Sequence, residues 1–173
     1  MDDDVKQDMA WADRFTDVVN RAIKEAYLKM IEICKASAFQ DNQEATDCII
    51  KTPGGGETAI RLRRGDYHQN EITIRYERKS GVETEYSKIR RGMCKLYLFG
   101  WVDNRAHKLR RFVFVDLDKM RNQGFFDKEE PYPVIPNSDG KTSFTVYTIT
   151  RLAERDCIIY DSNDKNTIQK KLF

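Results

Sequence analysis

Residues 46–64 read TDCIIKTPGGGETAIRLRR. Asp47 opens an apolar run, and Pro53 with Gly54-Gly55-Gly56 turns the chain, because glycine accepts the positive φ values that a tight reversal needs. The second run then alternates, with Ile60 and Leu62 on one face and Ala59, Arg61 and Arg63 on the other. The pattern predicts a hairpin of two strands, 47–52 and 57–63. It also poses a problem, since a strand that ought to be half buried carries arginine at every second position. Either the guanidinium groups lie on a solvated face, paired with Glu71 or Glu77, or they line a site for an anion.

The flanking sequence predicts the partners of this hairpin. Upstream, Trp11, Phe15, Val18/Val19, Ala22, Ala26, Met30 and Ile33 recur at three- and four-residue steps, the mark of an amphipathic helix, with Asp8 as N-cap and an end near Ser37. Downstream, EITIRYER (71–78) alternates as a third strand. Residues 82–100 place Val82, Tyr86, Ile89, Met93 and Leu96 on one stripe and predict a second helix ending at Gly100. LRRFVFVDLD (109–118) and KTSFTVYTIT (141–150) predict strands, PYPVIPNSDG a proline-guided loop, and DCIIYDS (156–162) a last short strand. The order is helix, three strands, helix, strand, then more strand. We expect an α/β (α+β) fold in one domain spanning 1–173, with a mixed sheet, an αβββαβ core flanked by helices, extra C-terminal strands, and frayed ends at 1–9 and 163–173. The strand 141–150 could form an edge that pairs with a second chain.

Composition narrows the class. The chain has 173 residues, 40% hydrophobic and 34% charged, enough for one domain with a real core. No apolar run approaches the roughly 18–20 residues of a membrane span. The start, MDDDVKQD, is acidic and lacks the basic-then-apolar pattern of a secretory signal, so we expect a cytoplasmic protein without a membrane partner. Cys34, Cys48, Cys94 and Cys157 form no CxxC pair and read as buried free thiols; with His68 and His107 they show no zinc spacing. Net charge is only +2, but it is unevenly placed. Residues 1–47 hold 6 Lys and Arg against 11 Asp and Glu, whereas residues 61–111 hold 14 against 6. A basic block of this kind is a candidate footprint for a polyanion.

No phosphate-binding GxxxxGK[ST], nucleophile elbow, HExxH or triad signature is present. What the chain offers is the order of its elements with Asp47 at the head of the first strand. In this respect it resembles the PD-(D/E)XK nuclease superfamily, and the strings TDCIIKTPGG, TAIRLRR, EITIRYERKSG, ETEYSKI and NSDGKTSF are similar to a group of phage and prophage proteins. The resemblance covers roughly residues 10–150. It implies a phage- or prophage-encoded nucleic-acid-binding protein in a bacterial host, acting on DNA more than RNA, and a hydrolase that cuts phosphodiesters with Mg²⁺ (or Mn²⁺).

Residue by residue, Asp47 fits the family's metal-binding aspartate. The acid-x-lysine is absent where expected: the second strand has Arg61-Leu62-Arg63 and the third Thr73-Ile74-Arg75. Glu85 and Lys88, three apart on the predicted second helix, share a side and can supply the missing carboxylate and ammonium. Glu25 and Glu32, seven apart on the predicted first helix, are further carboxylates. The chemistry is clear in outline. Carboxylates hold a hard cation through oxygen, the metal activates water, and a nearby cation stabilises the transition state. The resemblance therefore implies Asp47 and Glu85 as metal ligands, Lys88 as catalytic assistant, and Arg61, Arg63 and Arg75 as phosphate grips, since arginine stays protonated and its planar fork donates two hydrogen bonds. The missing acid-x-lysine supports an alternative: a catalytically inactive, nuclease-like interaction or counter-defence protein that binds nucleic acid or a protein partner without turnover. A homodimer with an incidental basic surface is a third reading.

Overall fold

The structure is a computed structural model that describes residues 10–26, 32–35, 48–51, 57–65, 70–103, 105, 108–127, 132–138 and 140–163. After a helical turn at 10–13 the elements run α1 (Thr16–Ala26), β1 (Glu32–Lys35), β2 (Cys48–Lys51), β3 (Glu57–Arg64), β4 (Glu71–Arg78), α2 (Glu85–Arg90), β5 (Leu96–Asp103) and β6 (Lys108–Asp116). They continue with α3 (Leu117–Asn122), β7 (Val134–Pro136), β8 (Thr142–Thr148), α4 (Ile149–Glu154) and β9 (Ile158–Asp161). Six strands form one sheet in the order β1-β2-β3-β5-β6-β9, and three form a second in the order β4-β8-β7. The class is α+β. Among the described residues, no helix is long and apolar enough to cross a membrane.

The pairing of β3 with β5 is parallel, Arg61 standing opposite Phe99 and Arg63 opposite Trp101. Parallel neighbours need a crossover, and here β4 and α2 supply it from the second layer. The large sheet is therefore covered on both faces. On one, Phe15, Val19, Ala22 and Ile23 from α1 and the turn before it pack on Leu96, Leu98, Phe112, Phe114 and Tyr160, with Ile60 and Leu62 against them. On the other, Ala59, Tyr97, Phe99, Trp101, Val113 and Val115 meet Ile72, Ile74 and Tyr147 of the small sheet and Ile89, Met120 and Leu152 of the short helices.

The structure corrects several boundaries. Residues 32–35 are strand β1, so the first helix does not extend to Ser37, and Glu25 and Glu32 do not share a helix. The second helix covers only Glu85–Arg90, not 82–100. Gly92, at φ 83°, stops it: the Gly92 N–H bonds the Ile89 carbonyl and the Met93 N–H bonds that of Lys88, the left-handed glycine cap of a helix end. Leu96–Asp103 is a central strand buried on both faces; such a strand is a continuous apolar run, which matches a helical stripe as well as an alternating one. The predicted loop contains the exposed three-residue strand β7, with Pro133 and Pro136 beside or within it, as edges tolerate. The αβββαβ order does not lie in one sheet, because β4 joins β8. Nor is 141–150 an edge: β8 lies between β4 and β7, and its Thr148 caps α4.

Close packing marks one glycine as irreplaceable. A Cβ on Gly65 would lie 2.9 Å from the Val102 carbonyl oxygen, which accepts the Gly65 N–H at 2.7 Å. Backbone cannot move aside cheaply, so Gly65→Ala is expected to cost about 1–3 kcal/mol, as overpacking does. Thermal unfolding followed by circular dichroism checks it, and an unchanged midpoint would count against it.

Candidate functional site

Strand β4 is an edge of the small sheet, and edges leave backbone groups unpaired. Here side chains of α2, its N-cap and β5 take them up. The Arg75 N–H donates to Glu85 Oε2 at 3.1 Å, and the Thr84 hydroxyl donates to the Tyr76 carbonyl at 3.1 Å. Tyr97 Oη stands 3.0 Å from the Thr73 carbonyl and 3.1 Å from Glu85 Oε1, so its one proton serves two acceptors. Thr84 is also the N-cap of α2, accepting from the Ser87 N–H, and so fixes Glu85 in the first turn.

Glu85 is the centre of this arrangement. Besides the Arg75 N–H, its Oε2 accepts from Arg61 Nη1 at 3.0 Å, and the side chains of this pair are each only 17% exposed. Burial works against the Arg61 charge, but Glu85 and Tyr97 together more than offset it and hold the guanidinium above its ordinary value. Arg75 is left worse matched. Burial, with Arg61 and Arg78 adding to it, pushes its guanidinium down to about 10, and its Nε is buried with no hydrogen-bond partner among the described residues. It remains protonated at neutral pH. Thr73 Oγ1, two residues back on the same face of the strand, is also buried and has no hydrogen-bond partner among the described residues. Both guanidiniums are within cation–π reach of Phe144, the partner of Arg75 across the ladder: 4.8 Å from the ring centroid for Arg61 and 6.0 Å for Arg75.

The alternation of β3 is thus resolved for Arg61. It does not lie on a solvated face and it pairs with neither Glu71 nor Glu77; it points into the layer between the sheets and pairs with Glu85. Arg63 sits two residues on along the same face, half-buried. Lys88 lies in α2, half-buried, one turn beyond Glu85. Asp47 lies outside the described residues, and so do the side chains of Glu25 and Glu32. Tyr97 and Trp101 are fully buried core, while Asp103 ends β5 and pairs with Arg110 at 3.3 Å.

The cation that the resemblance implies can be tested on the donors present. Glu85 Oε2 already faces two N–H groups, one of them on a guanidinium, and the Arg75 charge lies close by. A divalent ion there would have to displace Arg61 and tolerate both guanidiniums, so Glu85 does not fit the metal-ligand role as it stands. Among the described residues, no group of three or more His, Cys, Asp and Glu is placed to hold a metal.

Sequence reasoning missed two contributors. Tyr97 was legible only as core, although a tyrosine in a wholly apolar run needs a partner for its hydroxyl. Phe144 carried no signal, because only the β4–β8 register places it beside Arg75. No protein-family model, curated protein or solved structure matches the chain.

Proposed function

We propose that this chain binds nucleic acid through its phosphates, with Arg75 as the principal grip and Arg61 and Arg63 beside it, and that it does so without metal-dependent turnover through Glu85. The observation that carries this reading is the imbalance at β4: the Glu85 side chain pairs with the Arg61 guanidinium and takes only the backbone N–H of Arg75, whose buried Nε has no acceptor among the described residues. A phosphate oxygen supplies what is missing. It brings negative charge to a desolvated cation and accepts in the plane of the guanidinium fork. Around this point the basic stretch 61–111 attracts a polyanion over longer range. In this reading Glu85 is the counter-ion that orients Arg61 and closes the edge of β4. It is not a ligand for Mg²⁺, and the alternative of a nuclease-like binding protein without catalysis is the one the geometry supports best.

Fluorescence anisotropy with labelled oligonucleotides in EDTA tests this. Arg75→Ala should weaken binding about tenfold, the order of one hydrogen bond to a charged group, and Arg75→Lys should recover part of it. Unchanged affinity in Arg75→Ala would refute the assignment. A parallel incubation of plasmid, single-stranded DNA and RNA with Mg²⁺ or Mn²⁺ should leave all three intact. Metal-dependent cutting abolished by Asp47→Ala would instead establish the phosphodiesterase.

A further inference from the structure

Tyr76 is an exposed tyrosine on the edge strand β4. The β4–β8 register shifts between Arg75 and Glu77, so Tyr76 is the extra residue of a bulge, the device by which a strand re-aims a side chain. The residue is 41% exposed, and only Val82, Val134 and Ile135 are other large hydrophobics exposed among the described residues. It is nonetheless firmly mounted. The ring stands edge-on to Tyr86 at 4.9 Å, Tyr86 packs on Phe126 at 5.5 Å, and the Tyr86 hydroxyl donates to the Phe126 carbonyl at 3.2 Å. The Thr84 hydroxyl holds the Tyr76 carbonyl from below.

The stretch of chain around this ring is basic. Arg75 and Arg78 neighbour it in sequence on β4, Lys79 follows the strand, and Arg90, exposed and one helical turn beyond Tyr86, is near enough to act on the Tyr86 hydroxyl electrostatically. Residues 75–95 hold seven Lys and Arg against three Asp and Glu, and two of those acids are taken by Arg61 and Arg91. A firmly mounted, open aromatic ring in a basic stretch suits a base with a free face alongside its phosphates. Duplexes hide those faces in the stack; single strands present them.

We propose that Tyr76 is a stacking platform for an unpaired base, so that the preferred ligand is single-stranded nucleic acid. This deepens the phosphate-binding reading and rests on it. The test compares a labelled oligo-dT of about a dozen nucleotides with a duplex of equal length, in EDTA, for wild type, Tyr76→Ala and Tyr76→Phe. Wild type should favour the single strand. Tyr76→Ala should weaken single-strand binding about tenfold, within the range for loss of one base stack, and leave duplex binding unchanged. Tyr76→Phe should bind as wild type, because the ring and not the hydroxyl stacks, and it guards against a folding defect in the alanine variant. Equal affinity for both ligands, untouched by Tyr76→Ala, overturns the platform while leaving phosphate binding intact. A wild type that binds neither ligand at low salt overturns the phosphate reading itself.

Discussion

Glu85→Ala should cost the fold about 3 kcal/mol, and it should not weaken nucleic-acid binding. The first half follows from burial. Arg61 and Glu85 are each largely withdrawn from water, and removing one partner of such a pair leaves an uncompensated charge. The loss sits at the lower end of the roughly 3–5 kcal/mol seen for fully buried pairs, because some solvent still reaches both groups. The Arg75 N–H loses its acceptor as well, and the edge of β4 opens. The second half separates two roles for one carboxylate. A counter-ion competes with phosphate for Arg61, so its removal leaves affinity in EDTA unchanged or higher. A metal ligand would, on removal, abolish whatever the metal supports. Urea unfolding and anisotropy on the same sample measure both halves. Unaltered stability would contradict the ion-pair role, and lost affinity in a folded variant would contradict the counter-ion role.

Asp161→Ala should be more damaging still, at about 3–5 kcal/mol, the usual loss when one partner of a buried pair is removed. Arg111 and Asp161 are 8% and 7% exposed and meet through both carboxylate oxygens, Nε donating to Oδ1 at 3.0 Å and Nη2 to Oδ2. Nη1 reaches Asn70 Oδ1 at 3.2 Å, the guanidinium lies 5.5 Å from the Trp101 ring, and Asp161 Oδ1 also accepts the Asn163 N–H. The pair ties β6 to β9 and to the residue preceding β4. Domains are stable by only about 5–15 kcal/mol, so the variant should sit near the edge of folding. Its thermal midpoint should fall by roughly 6–20 °C for a chain of this size. Replacing both residues by apolar ones of similar volume, Arg111→Met with Asp161→Leu, should restore most of the loss, because no buried charge is then left unpaired. A single variant that loses less than about 1 kcal/mol would show the pair to be as weak as a surface one.

Where the two faces of a strand alternate in chemistry, the sequence was legible. The alternation of 57–63 placed Ala59 and Arg61 opposite Ile60 and Leu62, and the structure keeps that division between the two cores; in 71–78 it holds for Ile72 and Ile74 but breaks at Tyr76, where the strand bulges. Where a segment is buried all round, the period vanishes: Leu96–Asp103 looked like the continuation of a helix, and only the glycine cap at Gly92 tells them apart. The helices Leu117–Asn122 and Ile149–Glu154 are too short to show a helical period, although Asp116 and Thr148 cap them as such residues do. At the candidate site, Arg61, Arg75 and Glu85 were selected from the sequence and the fold brings them together. Their relation was not legible, because the contact joins β3 to α2 across the layers and the edge position of β4 depends on a strand about seventy residues away.

The central claim is that an arginine face at β4 grips phosphate without a metal. The most direct test is the salt dependence of oligonucleotide binding in EDTA, measured for wild type and Arg75→Ala. Each neutralised phosphate adds about 0.7–0.9 to the slope of log K against log salt. Wild type should bind in EDTA with a steep slope, and Arg75→Ala should bind more weakly with the slope reduced by about 1. Binding that needs Mg²⁺, or a slope identical in the two proteins, would contradict the account.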